Sequence, residues 1–562
     1  MPTLSSSLNP KSAAFQENTA RMQERLDEIR ALEAQVRATS AKRKARFEAR
    51  GQLIPRERVE RLLDPGTPFL ELSTLAGLAM HDDDGKRTVM GGGSIAGIGT
   101  VSGKRVVVLA NDSGIKGGSI SPMGAQKTLR LQEIARKHKL PVVYLVESGG
   151  ANLLYQSEMF VGGGRSFANL ARLSAAGIPQ ISVVHGSSTA GGAYLPGLSD
   201  YVVLVAERSK IFLAGPPLVK AAIGEDTTDE ALGGAELHAT VTGLGEYVAD
   251  NDAHALETTR ELMDLLKWDS ANALEEPAPK GHEFSANARL TAPKRQGSST
   301  QSIAEPAFNA EELMGIVPAS DSEPYDCREI IARLVDASQF LEFKAAFGSE
   351  IVCGHARIQG ESIGIVANNG AIQPNGSAKA THFLQACDQS GTPVVFLQNT
   401  TGYMVGSTAE RAGSIKHGSK MIQAVANLRV PKLTIVVGGS FGAGNYGMCG
   451  RGFDPNFLFS WPSARCAVMG GSQAATVMEI ITRQAYAKKG LPIAEDFLAH
   501  MSEKIKTQLD AESHVLFGTA RLWDDGVIDP RDTRTILGMC LRICAAAQSR
   551  DLHPNAFGVA RP

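Results

Sequence analysis

The spacing of apolar residues predicts one long helix followed by alternating strands and helices. From Phe15 to about Arg50, apolar residues recur every three or four positions and therefore share one face of a helix. Beyond it, four runs rich in Val and Ile predict strands: KRVVVLAN, PVVYLVESGG, PQISVVHGSS and YVVLVAE. Helical patterns lie between them, over Gln126–His138 and near Phe167–Ala175. Strands that are apolar on both faces indicate buried, largely parallel sheets, so the fold class is α/β.

The chain contains two copies of one pattern. LPVVYLVESGG, from Leu140, matches TPVVFLQNTTG, and IPQISVVHGSSTAGGAY, from Ile178, matches VPKLTIVVGGSFGAGNY. Both pairs of segments are separated by the same offset of 252 positions. Between the copies, the segment from about Asn272 to Pro324 is rich in Ser, Pro, Ala and Gln and lacks periodicity. We therefore predict a duplicated domain, with an N-terminal domain over residues 1–275, a linker over 276–324 and a C-terminal domain over 325–562.

Composition and charge exclude several classes of protein. Hydrophobic residues make up 43% of the 562 residues and the net charge is −2, which argues against a disordered chain and a dedicated nucleic-acid binder. The seven cysteines are odd in number and contain no CxxC pair, so disulfides and structural zinc are disfavoured. No run of about 20 apolar residues occurs, and we expect no membrane partner. These features predict a cytoplasmic protein, or one of the mitochondrial matrix if the source is a eukaryote.

Small residues lie in each copy where a strand ends and a helical pattern begins, at Thr189–Ala193 and at Phe441–Asn445. The first N–H groups of such a turn have no partner within the helix, and glycines allow a ligand oxygen to approach them closely. They can therefore stabilise an oxyanion. A second small-residue loop in each copy, Ser148–Ala151 and Thr400–Tyr403, can supply another donor. The alternative is that the glycines only allow close packing, and the occurrence of two copies favours a ligand role.

Other catalytic motifs fit poorly. Gly442–Gly447 satisfies GxGxxG, but the acidic residue expected about 20 positions later in a dinucleotide site is not apparent. Gly438–Gly442 satisfies GxSxG, with Asp454, His500 and His514 as partners of a serine hydrolase, yet the first copy does not share it. No phosphate-binding P-loop occurs. His185 and His238 are as consistent with packed or surface residues as with catalytic ones.

A series of motifs in order resembles the carboxyltransferase (β) subunits of biotin-dependent acyl-CoA carboxylases along nearly the whole chain. The motifs are Pro55–Arg58 with Leu62–Gly66, Ile115–Gly118, Glu147–Asn152, Thr189–Tyr194, Phe212–Pro217, Asp250–Ala253, Phe441–Met448 and Ala520–Gly526. The resemblance implies two duplicated crotonase-like (ClpP/crotonase) superdomains of β-β-α layers. Acyl-CoA would bind mainly the N-terminal superdomain, and carboxybiotin the C-terminal superdomain of a neighbouring subunit.

The resemblance also implies a role for each loop. Gly191, Gly192 and Ala193, with Gly150 or Ala151, would hold the thioester oxygen, and Gly442, Ala443 and Gly444, with Thr401 or Gly402, the biotin ureido oxygen. The implied acyl-CoA residues are Lys116, Gly117, Gly118, Gly149, Gly150, Ala151, Gly162, Gly163 and Gly164. The implied biotin residues are Thr401, Gly402 and Tyr403. Backbone donors and the biotin nitrogen would then replace a side-chain base, with no metal bound by this chain.

The partner expected from the resemblance is a biotin carboxylase and biotin carrier (alpha) subunit. This chain has neither a Met-Lys-Met biotinylation site nor an ATP-grasp glycine-rich loop, so biotin would be carried by that partner. The implied assembly is a homo-hexameric core within a hetero-dodecamer.

The acyl group is the finer question. The loop Asn399–Gly406 is similar to the methylcrotonyl and geranyl branch of the family, and the Gly-rich stretch Phe160–Arg165 is similar to geranyl-CoA carboxylases. We therefore predict carboxylation of the γ-carbon of geranyl-CoA. Carboxylases of 3-methylcrotonyl-CoA or propionyl-CoA are the alternatives within the family. A hydratase or isomerase of CoA esters, a serine hydrolase and a non-catalytic assembly core are the alternatives outside it.

Overall fold

The computed structural model describes residues 1–81, 90–268, 303–318 and 323–560, and these pack into two compact units. The first unit contains the described residues of Ala31–Gln296, Ala520–Leu522 and Ile543–Pro562. The second unit contains the described residues of Met1–Arg30, Gly297–Thr519 and Trp523–Arg542. Most of the predicted linker, at 276–302 and 319–322, lies outside the described residues.

The first unit is built on an eight-stranded sheet. Its strands are β1 (Leu70–Glu71), β2 (Ser94–Val101), β3 (Lys104–Asn111), β4 (Val142–Ser148), β5 (Gln180–Thr189), β6 (Tyr201–Val205), β7 (Lys210–Phe212) and β8 (Tyr247–Ala249). The strand order is β1-β2-β3-β4-β5-β6-β8, and β7 pairs with the end of β5. The pairs from β3 to β8 are parallel, as the apolar runs predicted.

Helices pack against this sheet and complete its core. The helices in this part of the chain are α1 (Ala13–Ala41), α2 (Lys44–Glu48), α3 (Pro55–Leu62), α4 (Pro122–Lys137), α5 (Gln156–Ala175), α6 (Tyr194–Leu198), α7 (Pro216–Ile223), α8 (Asp229–Gly233), α9 (Ala235–Thr240) and α10 (Asp252–Leu265). Of α1, only Ala31–Ala41 belongs to the first unit. Alternate strand residues such as Val143 and Val183 share one core with Val59 and Leu62 of α3 and Leu256 of α10. This period of two buries one face of the sheet under helices.

The second unit repeats this architecture. Its strands are β9 (Leu341–Phe343), β10 (Ile351–Ile358), β11 (Glu361–Asn368), β12 (Val394–Thr400), β13 (Lys432–Phe441), β14 (Phe457–Ser460) and β15 (Arg465–Ala467). The order is β14-β13-β12-β11-β10-β9, with β15 on the end of β13. The helices in this part of the chain are α11 (Arg328–Leu334), α12 (Pro374–Ser390), α13 (Ser407–Arg411), α14 (Ser414–Asn427), α15 (Gly444–Gly447), α16 (Gly471–Lys488), α17 (Glu495–Ser513), α18 (Val515–Ala520) and α19 (Thr533–Ser549). Ala520 of α18 and Ile543–Ser549 of α19 belong to the first unit.

The duplication extends to single residues. The bounds of β12 and β13 equal those of β4 and β5 shifted by 252 positions, the offset seen in the sequence. The pairing of β4 with β5 shifts between Val146 and Ser148, and that of β12 with β13 shifts between Gln398 and Thr400, again 252 positions away. The two units are therefore copies of one fold, and the α/β fold class is confirmed.

Each unit also includes a chain end that is distant in sequence. In the first unit, the C-terminal segment returns to the end of α5, where Asn555 N donates to Ala175 O at 2.8 Å and Val559 N to Ser174 Oγ at 2.9 Å. In the second unit, Ser7 N donates to Glu329 Oε1 at 2.7 Å and Phe340 N to Pro2 O at 3.0 Å. Both units are thus assembled from segments that are not contiguous.

One predicted element begins earlier than its pattern suggested. The pattern predicts a helix near Phe167–Ala175, after the Gly-rich stretch Phe160–Arg165, whereas α5 begins at Gln156 and runs through Gly162–Gly164. A glycine lowers helix stability by about 1 kcal/mol relative to alanine, so three in a row resemble a break. Packing on either side outweighs this cost, because Met159 precedes the glycines and Leu170 and Leu173 follow them, and all three side chains are buried.

Candidate functional site

The two Gly-rich turns have the same backbone geometry. Ala190 (φ 53°) and Gly442 (φ 54°) each begin a turn in the left-handed region, at positions related by the same offset of 252. This conformation reverses the chain sharply at the end of β5 and of β13. Among the described residues, no acceptor pairs with the N–H groups of Gly192, Ala443 or Gly444. Each turn therefore presents backbone donors.

The second loop of each unit lies beside its turn and is held by a hydroxyl group. Gly150 N donates to Ser148 Oγ, and Gly402 N donates to Thr400 Oγ1, both at 3.1 Å. The N–H groups of Gly150 and Gly402 are therefore already bonded. Of the predicted pairs, Gly150 or Ala151 and Thr401 or Gly402, the N–H groups of Ala151 and Thr401 have no acceptor in the described part of the chain. The sequence alone could not distinguish them.

The glycines of the two turns differ in how closely they are packed. A Cβ atom on Gly444 would lie 2.9 Å from both Gly402 Cα and Thr400 Cγ2, so only glycine fits there. At the equivalent Gly192, a Cβ atom would lie 3.5 Å from Ser148 Oγ, an ordinary contact. Close packing thus explains the glycine at 444 but not the one at 192.

The loop Lys116–Gly118 joins the first of these sites. Gly118 packs directly against the backbone of Glu147, and Ser148 Oγ donates to Gly118 O at 3.1 Å. Ile120 N donates to Gly150 O at 2.8 Å. The structure therefore brings Lys116–Gly118 together with Ser148–Ala151, as the resemblance implies.

Gly162–Gly164 lie on α5, and one of them shares a face with the aromatic residue that contacts the first turn. Phe167 stacks edge-on against Tyr194, with ring centroids 5.9 Å apart, and lies 3.7 Å from where a Cβ atom on Gly191 would be. Gly163 is four residues before Phe167 and therefore on the same side of the helix. No atom lies within 4 Å of a Cβ atom built on any of the three glycines, so the helix has open space beside each of them, including the side that Gly163 shares with Phe167.

A cavity of about 500 Å³ lies behind the second turn, within the second unit. Gly442 and Ala443 line it, together with apolar side chains that include Val436, Leu458 and Trp523. Five titratable side chains also line it, namely Tyr446, Arg451, Cys466, His514 and Asp524, and the sequence predicted none of them to lie in a cavity. Burial raises the pKa of the Cys466 thiol and lowers the pKa of His514.

Asp524 is the unusual group in this cavity. Its side chain is 3% exposed, and its Oδ1 atom has no hydrogen-bond partner among the described residues. Burial raises the pKa of this carboxyl group to about 6. Asp524 falls within the motif Ala520–Gly526, but two adjacent aspartates are also typical of a solvated turn, so the sequence held no signal for this environment.

The serine hydrolase alternative is not supported. Ser440 is fully buried, and its hydroxyl donates to Gln398 Oε1 at 2.6 Å and accepts from Asn445 Nδ2 at 2.7 Å. Because Ser440 is buried and its hydroxyl is bonded to two neutral side chains, it cannot act as an exposed nucleophile. The two histidines left open by the sequence are packed residues: His185 is buried against Asp252, and His238 bonds Ile211 O and Thr242.

Two further kinds of feature are absent from the ranges that the structure describes. None of the helices in these ranges is long and apolar enough to cross a membrane. No group of three or more His, Cys, Asp or Glu side chains in the same ranges could hold a metal ion.

Comparison with known proteins identifies one family and relatives with related names. The model of the carboxyl transferase domain family matches residues 46–559. The chain is 48% identical over 560 residues to a Mycobacterium tuberculosis protein named "Probable biotin-dependent acyl-coenzyme A carboxylase beta2 subunit", covering 99% of this chain and 100% of that protein. It is 44% identical over 562 residues to a Drosophila melanogaster protein named "Probable methylcrotonoyl-CoA carboxylase beta chain, mitochondrial", covering 99% and 95%.

Among solved structures, the chain is similar to the crystal structure of the beta subunit of P. aeruginosa geranyl-CoA carboxylase. The two share 52% sequence identity with a TM-score of 0.89, and the match covers 100% of both chains.

Proposed function

The chain belongs to the carboxyl transferase domain family and is the carboxyltransferase component of a biotin-dependent acyl-CoA carboxylase, and we propose that its substrate is a branched enoyl thioester, geranyl-CoA in preference to 3-methylcrotonyl-CoA. The observation that carries the proposal is the open face at Gly163, on the side of α5 that contacts the first turn. The likeness to the geranyl-CoA carboxylase beta subunit supports it, and the methylcrotonoyl-CoA relative supports the second candidate.

The first turn supplies the donors for the acyl group. When the γ-carbon of an enoyl thioester loses its proton, negative charge moves to the thioester oxygen, and N–H groups fixed at that position stabilise it. Gly192 carries such a group, Ala193 follows it in the same turn, and Ala151 lies on the neighbouring loop. Loss of one donor of this kind raises the barrier by about 3–4 kcal/mol.

The second turn is suited to a carbonyl oxygen within a ring system. The N–H groups of Ala443 and Gly444 are unpaired among the described residues, and the cavity beside them is lined largely by apolar side chains. These features fit a ureido oxygen on a bicyclic apolar ring, which is the chemistry of biotin. Carboxylated biotin, when bound, supplies the CO2 that is transferred. Ala443, Gly444 and Thr401 would then bind and orient the ureido group.

The proposed acyl pocket depends on the missing side chain at position 163. A pocket wall made from glycine leaves room that a larger residue would fill. Since Gly163 and Phe167 share a helix face, a side chain at 163 would project beside the ring that lies against Gly191. A long branched chain would occupy this space, whereas a short chain would leave it empty.

The variant Gly163→Phe tests this substrate preference. In the complex with the biotin-carrying partner, kcat/KM would be measured for geranyl-CoA and 3-methylcrotonyl-CoA. We expect the variant to lose geranyl-CoA activity far more than 3-methylcrotonyl-CoA activity. An apolar pocket discriminates by only about 1–3 kcal/mol per methylene, so the wild type should keep some activity on the shorter substrate.

The matched control is Gly164→Phe, about 100° further around the same helix. It places the same ring on the same glycine-rich segment but on another face, and it should change the ratio of the two activities less. A wild-type protein that is inactive on geranyl-CoA would contradict the proposal and favour 3-methylcrotonyl-CoA.

We also propose that the chain works with a biotin-carrying alpha subunit and forms a homo-hexameric core. The family membership supports the first part, because the relatives are named as beta subunits or beta chains. Native mass spectrometry of the chain alone and of the co-expressed pair would measure both stoichiometries. The proposed location is the cytoplasm of a bacterium, or the mitochondrial matrix in a eukaryote, as in the name of the Drosophila relative.

A further inference from the structure

The pairing irregularity between β4 and β5 is the structural feature on which this inference rests. Val146 pairs with Val184 and Ser148 pairs with Ser188, so Glu147 alone lies opposite His185, Gly186 and Ser187. Such a bulge bends the strands and redirects the residues that follow. Those residues are the loop Ser148–Ala151 after β4 and the turn Ala190–Ala193 after β5. The geometry of the bulge therefore determines where both sets of backbone donors point.

Charged side chains hold this bulge from both strands. Arg58, from α3, donates to Glu147 Oε2 at 2.7 Å and to Asp252 Oδ2 at 3.1 Å. His185 Nδ1 lies 2.9 Å from Asp252 Oδ1, and Leu53 N donates to Asp252 Oδ2 at 2.8 Å. We call these four side chains, Arg58, Glu147, His185 and Asp252, the buried network.

The network is withdrawn from solvent. Arg58 and Asp252 are each 1% exposed and His185 is fully buried. Burial, together with the nearby charge of Arg58, lowers the pKa of His185, which favours the neutral ring. With Asp252 ionised, an N–H group at Nδ1 of His185 is the donor that fits the 2.9 Å contact. Burial alone would raise the pKa of Asp252, but the hydrogen bond from His185 and the charge of Arg58 lower it to about 2. Asp252 therefore keeps its charge.

The glycine opposite Glu147 makes room for this arrangement. A Cβ atom at Gly186 would lie 2.9 Å from Glu147 Cγ and 3.0 Å from its carboxyl carbon. The Glu147 side chain therefore crosses from β4 over the backbone of β5 to reach Arg58. Any change in its charge or reach acts on both strands at the bulge.

The second unit holds the equivalent bulge by neutral groups. Asn399 and Val437 occupy the positions of Glu147 and His185, at the common offset of 252. Asn399 Oδ1 accepts a hydrogen bond from Gly439 N at 2.8 Å, directly across the bulge. The same fold thus uses charged side chains at the bulge of the first unit and a neutral amide at the bulge of the second unit.

We propose that the buried network is a positioning device that fixes the donors for the acyl thioester, and that it acts on that half of the reaction alone. This inference rests on the proposed function of the first turn. Its four members hold the two strand ends that carry the donors, and none of them is assigned contact with the substrate.

The variant Glu147→Gln removes the charge and keeps the length of the side chain. With the biotin-carrying partner, we expect kcat for acyl-CoA carboxylation to fall on the order of 10- to 100-fold, because small displacements of donors reduce rates by this amount. KM should change by less than about threefold, since the loss affects the transition state more than binding. Decarboxylation of carboxybiotin without acyl-CoA should stay within about twofold of the wild-type rate, because the second turn is unaffected.

Two comparisons separate positioning from general destabilisation. Glu133→Gln removes the charge of a half-exposed glutamate that pairs with Arg130 in the same unit, and it should leave both rates unchanged. His185→Leu removes the proton donated to Asp252, whereas His185→Asn keeps an N–H donor. If positioning is the role, His185→Asn recovers part of the kcat that His185→Leu loses.

A second readout does not depend on catalysis. Hydrogen exchange in the chain alone should become faster at residues 148–151 and 190–193 in Glu147→Gln, while exchange at residues 400–403 and 442–445 stays at wild-type rates. Unchanged exchange at the first set, or an equal fall of carboxylation and decarboxylation, would overturn the proposal. If the wild type proves inactive on acyl-CoA, the proposed function fails, and the exchange measurement still decides whether the network positions the loops.

Discussion

Two adjacent aspartates of the second unit have opposite environments. Asp525 accepts from Arg451 Nη2 at 2.8 Å and from Leu458 N at 2.9 Å, whereas Asp524 Oδ1 has no partner in the described part of the chain. Burying a carboxylate without full pairing favours its protonated form. Asp524 therefore destabilises the folded chain wherever it must be ionised, and Asp525 stabilises it.

This difference predicts a pH-dependent gain in stability for Asp524→Asn. The folded-state pKa of Asp524 is about 6, above the ordinary value of 3.8, so the folded state binds more protons than the unfolded state between these values. Stability is therefore lost as pH rises through this window, and the loss is complete above about pH 6. Removing the carboxylate should raise the free energy of unfolding by on the order of 2–3 kcal/mol at pH 8 and by much less near pH 4.

Thermal unfolding measured from pH 4 to pH 8 would test this. Asp525→Asn is the matched control, because it removes a paired carboxylate and should destabilise the protein across the range. A constant difference in Tm between wild type and Asp524→Asn at all pH values would contradict the assignment.

The positions of Gly192 and Ala443 in the two turns predict different effects on the two half-reactions. Gly192→Val should abolish acyl-CoA turnover and spare decarboxylation of carboxybiotin, because the methyl groups block approach to the first turn without removing an N–H group. Ala443→Val should impair both, since it lies in the wall of the cavity beside the second turn. Parallel assays of the two rates would measure this.

Gly192→Ala provides the structural control for this pair. Its Cβ atom meets Ser148 Oγ at an ordinary distance, so the variant should fold like the wild type. Equal loss of both activities in Gly192→Val would show that the turns are not divided between the two ligands.

At the residue level, the sequence predicted the two Gly-rich turns but not the buried charge pairs near them. The glycines repeat at one offset, and that repetition is visible along the chain itself. The pairing of Asp525 with Arg451 and that of Glu147 with Arg58 join residues 74 and 89 positions apart, respectively. Contacts over such separations depend on how the chain folds, and no local pattern encodes them.

At the level of elements, strands were easier to predict than helices. β3 has the bounds of the predicted run KRVVVLAN, and β4 lies within PVVYLVESGG, because strands buried on both faces are continuous apolar runs. The start of α5 was missed because three glycines contradict helix propensity, and tertiary packing of Met159 and Leu170 outweighed that local preference. The difference matters for function, since it places Gly163 within a helix, on the same face as Phe167.

At the level of the whole molecule, the chain should depend on a partner for both biotin and ATP. It has no Met-Lys-Met site and no glycine-rich ATP loop. We expect a purified chain to be negative on an avidin blot and to show no bicarbonate-dependent ATP hydrolysis. Both signals should appear when the biotin-carrying partner is added. Avidin binding by the chain alone would contradict this prediction.

The duplication itself was predictable from the sequence, whereas the exchange of chain ends was not. Pairs of similar segments at one offset are enough to identify two copies of a fold. The contacts of Ser7 with Glu329 and of Asn555 with Ala175 join residues hundreds of positions apart, in segments without an apolar period. Only the folded chain shows them.

This exchange of ends has a consequence for how the protein is made. Domains of a growing polypeptide usually fold as units, the N-terminal one first, while the ribosome still synthesises the rest. Here the first unit includes Ile543–Pro562, so it cannot be completed until those residues have left the ribosome. The second unit must keep Met1–Arg30 available until its own strands emerge. A nascent chain stalled halfway would therefore hold neither unit in finished form, and it would expose apolar surface that the completed units bury.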